Sequence, residues 1–402
     1  MRWNGVGRDR THRRLRGGAV ALALLILCAA SPARTEPRLT IDREGPEVVF
    51  RGAVDGCERY DFPDGAARAF RDAGGRVHLI ATHFVNRAMV GPALDRVRRD
   101  CRVIFKGGED GRPEAFDDRG WLLSVYTADG ADVIALVHNE FQGHRRPALC
   151  PSRIYRSCWY NTITFARSRD GGLSFQAPTG AARLVAALPY PYEPDAGRRR
   201  GFSSPSNMIE VAGYVYALIV ADAVGVQKAG VCIMRTDRPQ EPGSWRAWDG
   251  RAYSVRFANP YDARQVPDAA AHVCAPVAGL AAATVGAVVR HAASGRFVAV
   301  QGISAGRGGD GRQRSGVYVS YSADLVSWSV PELAAAVPIF DSFACDDTAA
   351  FGYPSLLDPD SPSRIFDTVG DAFYLYMTRF NLKDCKRGED RDLVRFRARL
   401  AP

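Results

Sequence analysis

Three carboxylates stand out by their placing. Asp64 lies in DFPDG just ahead of a strand-forming run, Asp118 lies in FDDRG ahead of another, and Glu140 closes the run DVIALVHNE directly after His138 and Asn139. Two carboxyl groups in different environments can divide acid and base work between them, as cleavage of a glycosidic bond requires. Asp64, Glu140 and Asp118 are therefore the candidate catalytic carboxylates, with Glu140 the candidate acid and Asp118 a candidate modulator or orienter. The same positions also suit plainer roles, with Asp64 and Asp118 capping turns and Glu140 pairing with a nearby arginine. Polar side chains recur at comparable strand ends: Arg68, His83, Asn86 and Arg87, then His138 and Asn139, then Ser206, Asn207 and Asp222, then His272 and Gln301, and last Tyr353 and Arg379. Such groups offer directed hydrogen bonds to a hydroxyl-rich ligand. Trp159, Tyr160, Tyr190 and Tyr192 fall in loops from which they can stack on sugar rings or cover strand edges.

The elements that must position these groups are strands. Short apolar runs and period-2 alternation dominate, and no stretch beyond the first 33 residues keeps a helical spacing. A hairpin recurs at intervals of roughly seventy residues. The copies run over residues 67–84, 121–140, 204–222, 285–302 and 353–381, and turn residues such as Gly74-Gly75 and Asp129-Gly130 join their strands. Each is followed by one or two further strands, among them NTITFARS, GVCIMRT, GVYVSYS and DLVRFRARL. Five four-stranded units set radially make an all-β, five-bladed β-propeller of antiparallel blades, which leaves few free strand edges and a central channel. In such a blade the first strand leaves one face and the second returns to it. The polar ends therefore meet on one rim, while the glycine-rich ends meet on the other.

Three outer strands end in a further mark. SRDGGLSF (168–175) and SADLVSW (322–328) share a hydroxyl, an Asp two residues on and a terminal Ser-aromatic pair, and TDRPQEPGSW (236–245) is a looser version. An Asp in such a turn accepts backbone N–H bonds while the aromatic closes it against the blade. SRDGGLSF resembles the Asp-box of sialidase-type propellers, and SADLVSW with the hairpins resembles the five-bladed glycoside hydrolases of families 43 and 32. The resemblance spans roughly residues 57–400. It implies a glycan substrate, hydrolysis with water as acceptor and, for Asp64, the place of the first-blade aspartate and so the role of candidate base or nucleophile. One departure is plain: those families open the inner strand of the third blade with a glutamate, whereas GFSSPSNMI (201–209) has no carboxylate. Either the acid has moved to Glu140, or the propeller binds a carbohydrate or a protein without cutting it. A sialidase-like variant would gather Arg68, Arg87 and Arg379 around a ligand carboxylate.

The basic start MRWNGVGRDRTHRRLRGG and the apolar run from Ala19 to Ala30 read as a secretory signal ending near residue 33. Residues 34–56 are then an extension and 57–402 one domain, in a protein that is secreted or periplasmic, with retention at the cell surface also open. The formal charge of +9 falls to about +4 without that segment, so nucleic acid is not an expected partner. The expected partner is an oligosaccharide or polysaccharide, met by a monomer with no membrane span in the mature chain. Eight cysteines remain beyond Cys28, an even number suited to disulfides, with Cys150–Cys158 and Cys345–Cys385 the readiest pairs. No organic cofactor is implied. Asp117, Asp118, Asp346 and Asp347 offer oxygen atoms to calcium, although without an EF-hand spacing.

Overall fold

The computed structural model describes residues 37–401 apart from 43–44, 267 and 308–312. The expected signal segment lies outside them. Among the described residues no helix is long and apolar enough to cross a membrane.

Five antiparallel blades follow one another along the chain. The first is Arg68–Arg71, Val77–Ile80, Met89–Gly91 and Arg98–Arg99, and the second is Arg119–Tyr126, Val133–Gln142, Trp159–Ser168 and Leu184–Ala186. The third runs Ile209–Val211, Tyr214–Ala221, Gly230–Thr236 and Arg246–Trp248, with Tyr253–Val255 added outside. The fourth is Val285–His291, Phe297–Arg307, Gln313–Ser322 and Glu332–Ala336. The fifth begins Ala349–Leu357, Ala372–Asn381 and Arg391–Ala401. Its outer edge comes from the other end of the chain: Arg38–Ile41 pairs with Ala398–Ala401, and Glu47–Arg51 pairs with Asp392–Arg395. These strands lie in the stretch expected as an extension. Their partners are some 340 to 360 residues away, so no local pattern announces them.

Alternation along each strand sends apolar side chains to both faces, and each face meets the next blade. Phe70 and Ile80 pack with Val125 and Val137, joining blades 1 and 2. Leu136 and Phe165 meet Ala217 and Cys232, Leu218 and Ile233 meet Val288 and Ala299, and Val298 and Val300 meet Leu375 and Val394. Leu357 and Leu393 return to Ala67 and Leu79. Five apolar interfaces thus close a ring of five blades.

The tight turns fall where the glycines are. Gly75 and Gly130 have φ of 80° and 82°, a region that costs a side-chain-bearing residue energy. A Cβ on Gly130 would also come within 2.4 Å of the Ala73 nitrogen. Two of the three marked turns close through their Asp; the third, at 236–245, closes instead through Thr236 and Ser244, whose hydroxyls bond each other at 2.6 Å. In the first, Ser174 donates through both N–H and Oγ to the Asp170 carboxylate. In the second, Val326 and Ser327 N–H donate to Asp324 Oδ1, and Trp328 is buried with its Nε1 donating to Leu325 O.

The axis is held by one arginine. Arg68 is 3% exposed and donates to Ala67 O in its own blade, Leu123 O in the second, Gly286 O in the fourth and Ser355 Oγ in the fifth. It also reaches Pro205 O on the approach to the third. Burial without a paired carboxylate pushes the guanidinium down to about 9. All five blades share this one side chain.

Four disulfides, Cys57–Cys101, Cys150–Cys158, Cys232–Cys274 and Cys345–Cys385, include both expected pairs.

Candidate active site

On the rim of blade 1, the Asp64 N–H donates to Thr82 O, which continues the hairpin past its regular strands and sets Asp64 beside His83. Asp64 Oδ1 takes an ion pair from Arg391 Nη1 and a hydrogen bond of 3.2 Å from Tyr353 Oη. His83 Nε2 lies 3.5 Å from Asp64 Oδ2. Arg391 comes from the last blade, with Phe62 and Phe380 at 4.6 and 4.7 Å on its guanidinium. Tyr353 sits at φ 54° where the register shifts between Gly352 and Ser355, a strained backbone held by stacking on Phe340. Burial, followed by the nearby Asp64 charge, pushes its hydroxyl well above the usual phenol range.

Glu140 ends the second strand of blade 2 and accepts three hydrogen bonds. Oε1 faces His138 Nε2 at 3.0 Å, while Gln142 Nε2 and Tyr155 Oη donate to Oε2 at 2.8 and 3.2 Å. The Ser204 N–H donates to His138 Nδ1 at 3.2 Å. In the neutral ring the hydrogen therefore sits on Nε2 and points to Glu140. Strand alternation explains the grouping, because His138, Glu140 and Gln142 share one face. Tyr155 is carried by the excursion between the second and third strands and is pinned by the Cys150–Cys158 disulfide. It stacks on Trp159 at 4.5 Å, and burial with the Glu140 charge raises its hydroxyl.

The two carboxylates belong to one continuous set of contacts. From Asp64 it passes to His83, whose ring centroid is 5.5 Å from Trp121, then from Trp121 to His138 at 5.9 Å and so to Glu140. Burial lowers the His83 imidazole, which lies within the field of both Asp64 and Glu140. His83 and Tyr353 thus lie against Asp64, and His138 against Glu140.

Most of the other expected ligand groups are committed to the scaffold. Arg68 is spent on the axis. Asn86 donates to Phe84 O, Phe105 O and Gly120 O and accepts from the Leu122 N–H. Asn207 likewise spans to blade 4 through Val288 N–H and O, Ser206 is fully buried and accepts from the Leu218 N–H, and Gln301 is folded onto Ala281 and Ala283. Asn139 accepts from the Asp118 N–H. Arg87 pairs with Glu58, Asp222 with Arg199 and Arg379 with Asp392, while His272 bonds Arg256 O on an exposed turn. The three-arginine grouping of Arg68, Arg87 and Arg379 is therefore corrected, because each has its own partners. A strand end provides two kinds of polar group, one for ligand and one for the neighbouring blade, and residue type does not separate them.

Asp118 is withdrawn from contact with ligand. Its side chain is fully buried and bound by Arg146 at 2.7 and 2.9 Å, and it accepts from the Gln142 N–H at 2.8 Å. It orients Gln142, which in turn holds Glu140. Asp117 pairs with Arg183, so both acids are directed to arginines rather than into a cation site. Among the described residues, Cys150, Cys158 and Asp195 are close enough together to hold a metal, but the sulfurs are joined to each other. Of the loop aromatics, Trp159 meets Tyr155, whereas Tyr160 and Tyr192 turn inward to bond Tyr190 O and Leu149 O. Tyr155, Arg391, Trp121 and Gln142 are site residues that the sequence reading missed. The Cys150–Cys158 spacing was the one local sign of a fixed loop carrying Tyr155.

No family model and no curated protein matches this chain. Among solved structures it is similar to a thermostable family-43 glycoside hydrolase at 12% identity, over 84% of this chain and 92% of that one, with a TM-score of 0.46. It is also similar to the catalytic domain of the GH62 α-L-arabinofuranosidase from Coprinopsis cinerea (11% identity, 90% and 97% covered, TM-score 0.47). A third is the α-L-arabinofuranosidase from Lactobacillus brevis, at 11% identity, 83% and 90% covered, and a TM-score of 0.48.

Proposed function

We propose that the protein is an exported glycoside hydrolase that cuts a glycan at the rim of the propeller, between Asp64 and Glu140. The observation that carries this reading is the convergence of two carboxylates, from different blades and with different partners, on one run of aromatic and imidazole rings. Asp64, facing the Arg391 guanidinium, is suited to attack the anomeric carbon or to take a proton from water. Glu140 is the acid. All its present hydrogen bonds are accepted ones, so to deliver a proton it first takes one up on an oxygen now facing Tyr155 or His138. The Tyr155–Trp159 stack beside it suits the apolar face of a sugar ring. Incubating the wild type, Asp64→Asn and Glu140→Gln with a panel of oligosaccharides and polysaccharides, and reading new reducing ends, tests this. Release by the wild type that both variants lose is the expected result.

A second reading is a propeller that binds glycan or protein without cutting. It is favoured by the third blade, where Ser203 and Ser204 stand in place of a carboxylate and the Ser204 N–H is engaged by His138. Tight binding on a glycan array with no product from the wild type would select it.

A further inference from the structure

Arg119 opens the inner strand of blade 2 and pairs in register with Glu140, which in turn pairs with Asn161 on the next strand. Cross-strand partners project from the same side of a sheet. The half-buried Arg119 guanidinium rests 4.1 Å from the Phe84 ring centroid. Its neighbour Arg145 is paired with Glu109, and Arg146 on the same blade with Asp118, while Glu109, Asp118 and Glu140 act on Arg119 only through space. Among the described residues Arg119 has no ion pair and no side-chain hydrogen bond, and its Nε is buried without a partner. Two more buried nitrogens of the same ring cluster lack partners: Nε1 of Trp121, which is 4% exposed, and Nδ1 of His83. Both rings contact Phe84, at 5.9 and 4.6 Å.

A buried Nε donor left without a partner, on a cation among aromatic rings beside a candidate catalytic carboxylate, is costly unless a ligand completes it. We infer that Arg119 is a specificity-determining residue that binds a carboxylate on the sugar at the cleavage point, so that the substrate is an acidic, uronic-acid-bearing glycan. A guanidinium lying on a ring keeps its edge for a planar two-oxygen anion, which a carboxylate matches better than a tetrahedral sulfate. This inference rests on the glycan reading above and adds the class of sugar.

Calorimetric titration with three oligosaccharides distinguishes the outcomes: one ending in glucuronic acid, its carboxyl-reduced counterpart and the matching sulfated sugar. The wild type is expected to prefer the uronate at least tenfold over the reduced form. Arg119→Ala should abolish that preference by weakening the uronate at least tenfold more than the neutral sugar, and Arg119→Lys should restore part of it. Equal binding of acid and reduced sugars by the wild type overturns the inference but leaves the glycan reading intact. An Arg119→Ala variant that weakens both alike overturns it in favour of a packing role on Phe84, and preference for the sulfated sugar overturns the choice of carboxylate. If a wider panel of neutral and acidic glycans shows no binding and no cleavage, both readings fail.

Discussion

Arg68 and Arg391 stand in the same channel, one at its buried axis and one at its open rim, and they are used in opposite ways. Arg68 is enclosed and bonded mainly to backbone carbonyls from all round the ring. Arg391 lies between two aromatic rings, bonded to the Asp64 carboxylate, which keeps some exposure, and through Nε to the Gly388 carbonyl of its own turn. At the axis every donor is spent on the scaffold. At the rim, orphaned nitrogens on His83, Trp121 and Arg119 are left over. At the axis the buried cation is met by backbone carbonyls, whereas at the rim several ring and guanidinium nitrogens beside the two carboxylates have no protein partner.

Breaking the axis should have the largest effect. Arg68→Met leaves several buried carbonyls without donors, each costing about 1–3 kcal/mol, so a loss of about 4 kcal/mol or more is expected in urea unfolding. A near-neutral result would remove the axis from the account. At the rim the order reverses: Asp64→Asn and Glu140→Gln should lower glycan cleavage by about 10²–10⁴-fold, with unfolding midpoints close to wild type. A collapse in stability comparable to Arg68→Met would make the rim structural instead.

Between these lies the loop that carries Tyr155. Replacing Cys150 and Cys158 by serine should cost about 2–3 kcal/mol, as expected for a short disulfide loop, and should raise KM more than it lowers kcat. Smallest is a pH effect. Burial lowers His83 in the folded protein, so on acidification the unfolded chain binds that proton first. Its contribution to stability is full above the ordinary histidine range, near 6.5, and falls as pH drops from there towards the folded value. Thermal melts from pH 7 to 5 should show a shallower decline in His83→Leu than in wild type.

Much of the architecture was legible because it is local. The hairpin turns at Gly75 and Gly130, the period-2 strands and the marked turns at 168–175 and 322–328 depend on neighbours within about ten residues, and all appear where the sequence places them. Asp64 and His83 meet across the two ends of one hairpin, and His138 and Glu140 lie on one face of a single strand, so these contacts are local as well. Arg391 was not legible, because its approach to Asp64 spans the closure of the ring and nothing in RDLVRFRARL distinguishes it from other arginines. Asn86, Asn207 and Gln301 misled for a related reason. An amide that bridges blades and an amide that binds sugar are the same residue in the same strand position, and only the neighbour across the gap decides.

The pairing of Arg38–Ile41 with the final strand has a consequence for biogenesis. A chain synthesised from its N-terminus cannot complete its last blade until residues near 400 have appeared. Arg391, which holds Asp64, arrives on that same strand. Assembly of the rim is thereby tied to delivery of the whole polypeptide, and a prematurely ended chain would have neither a sealed ring nor a furnished site.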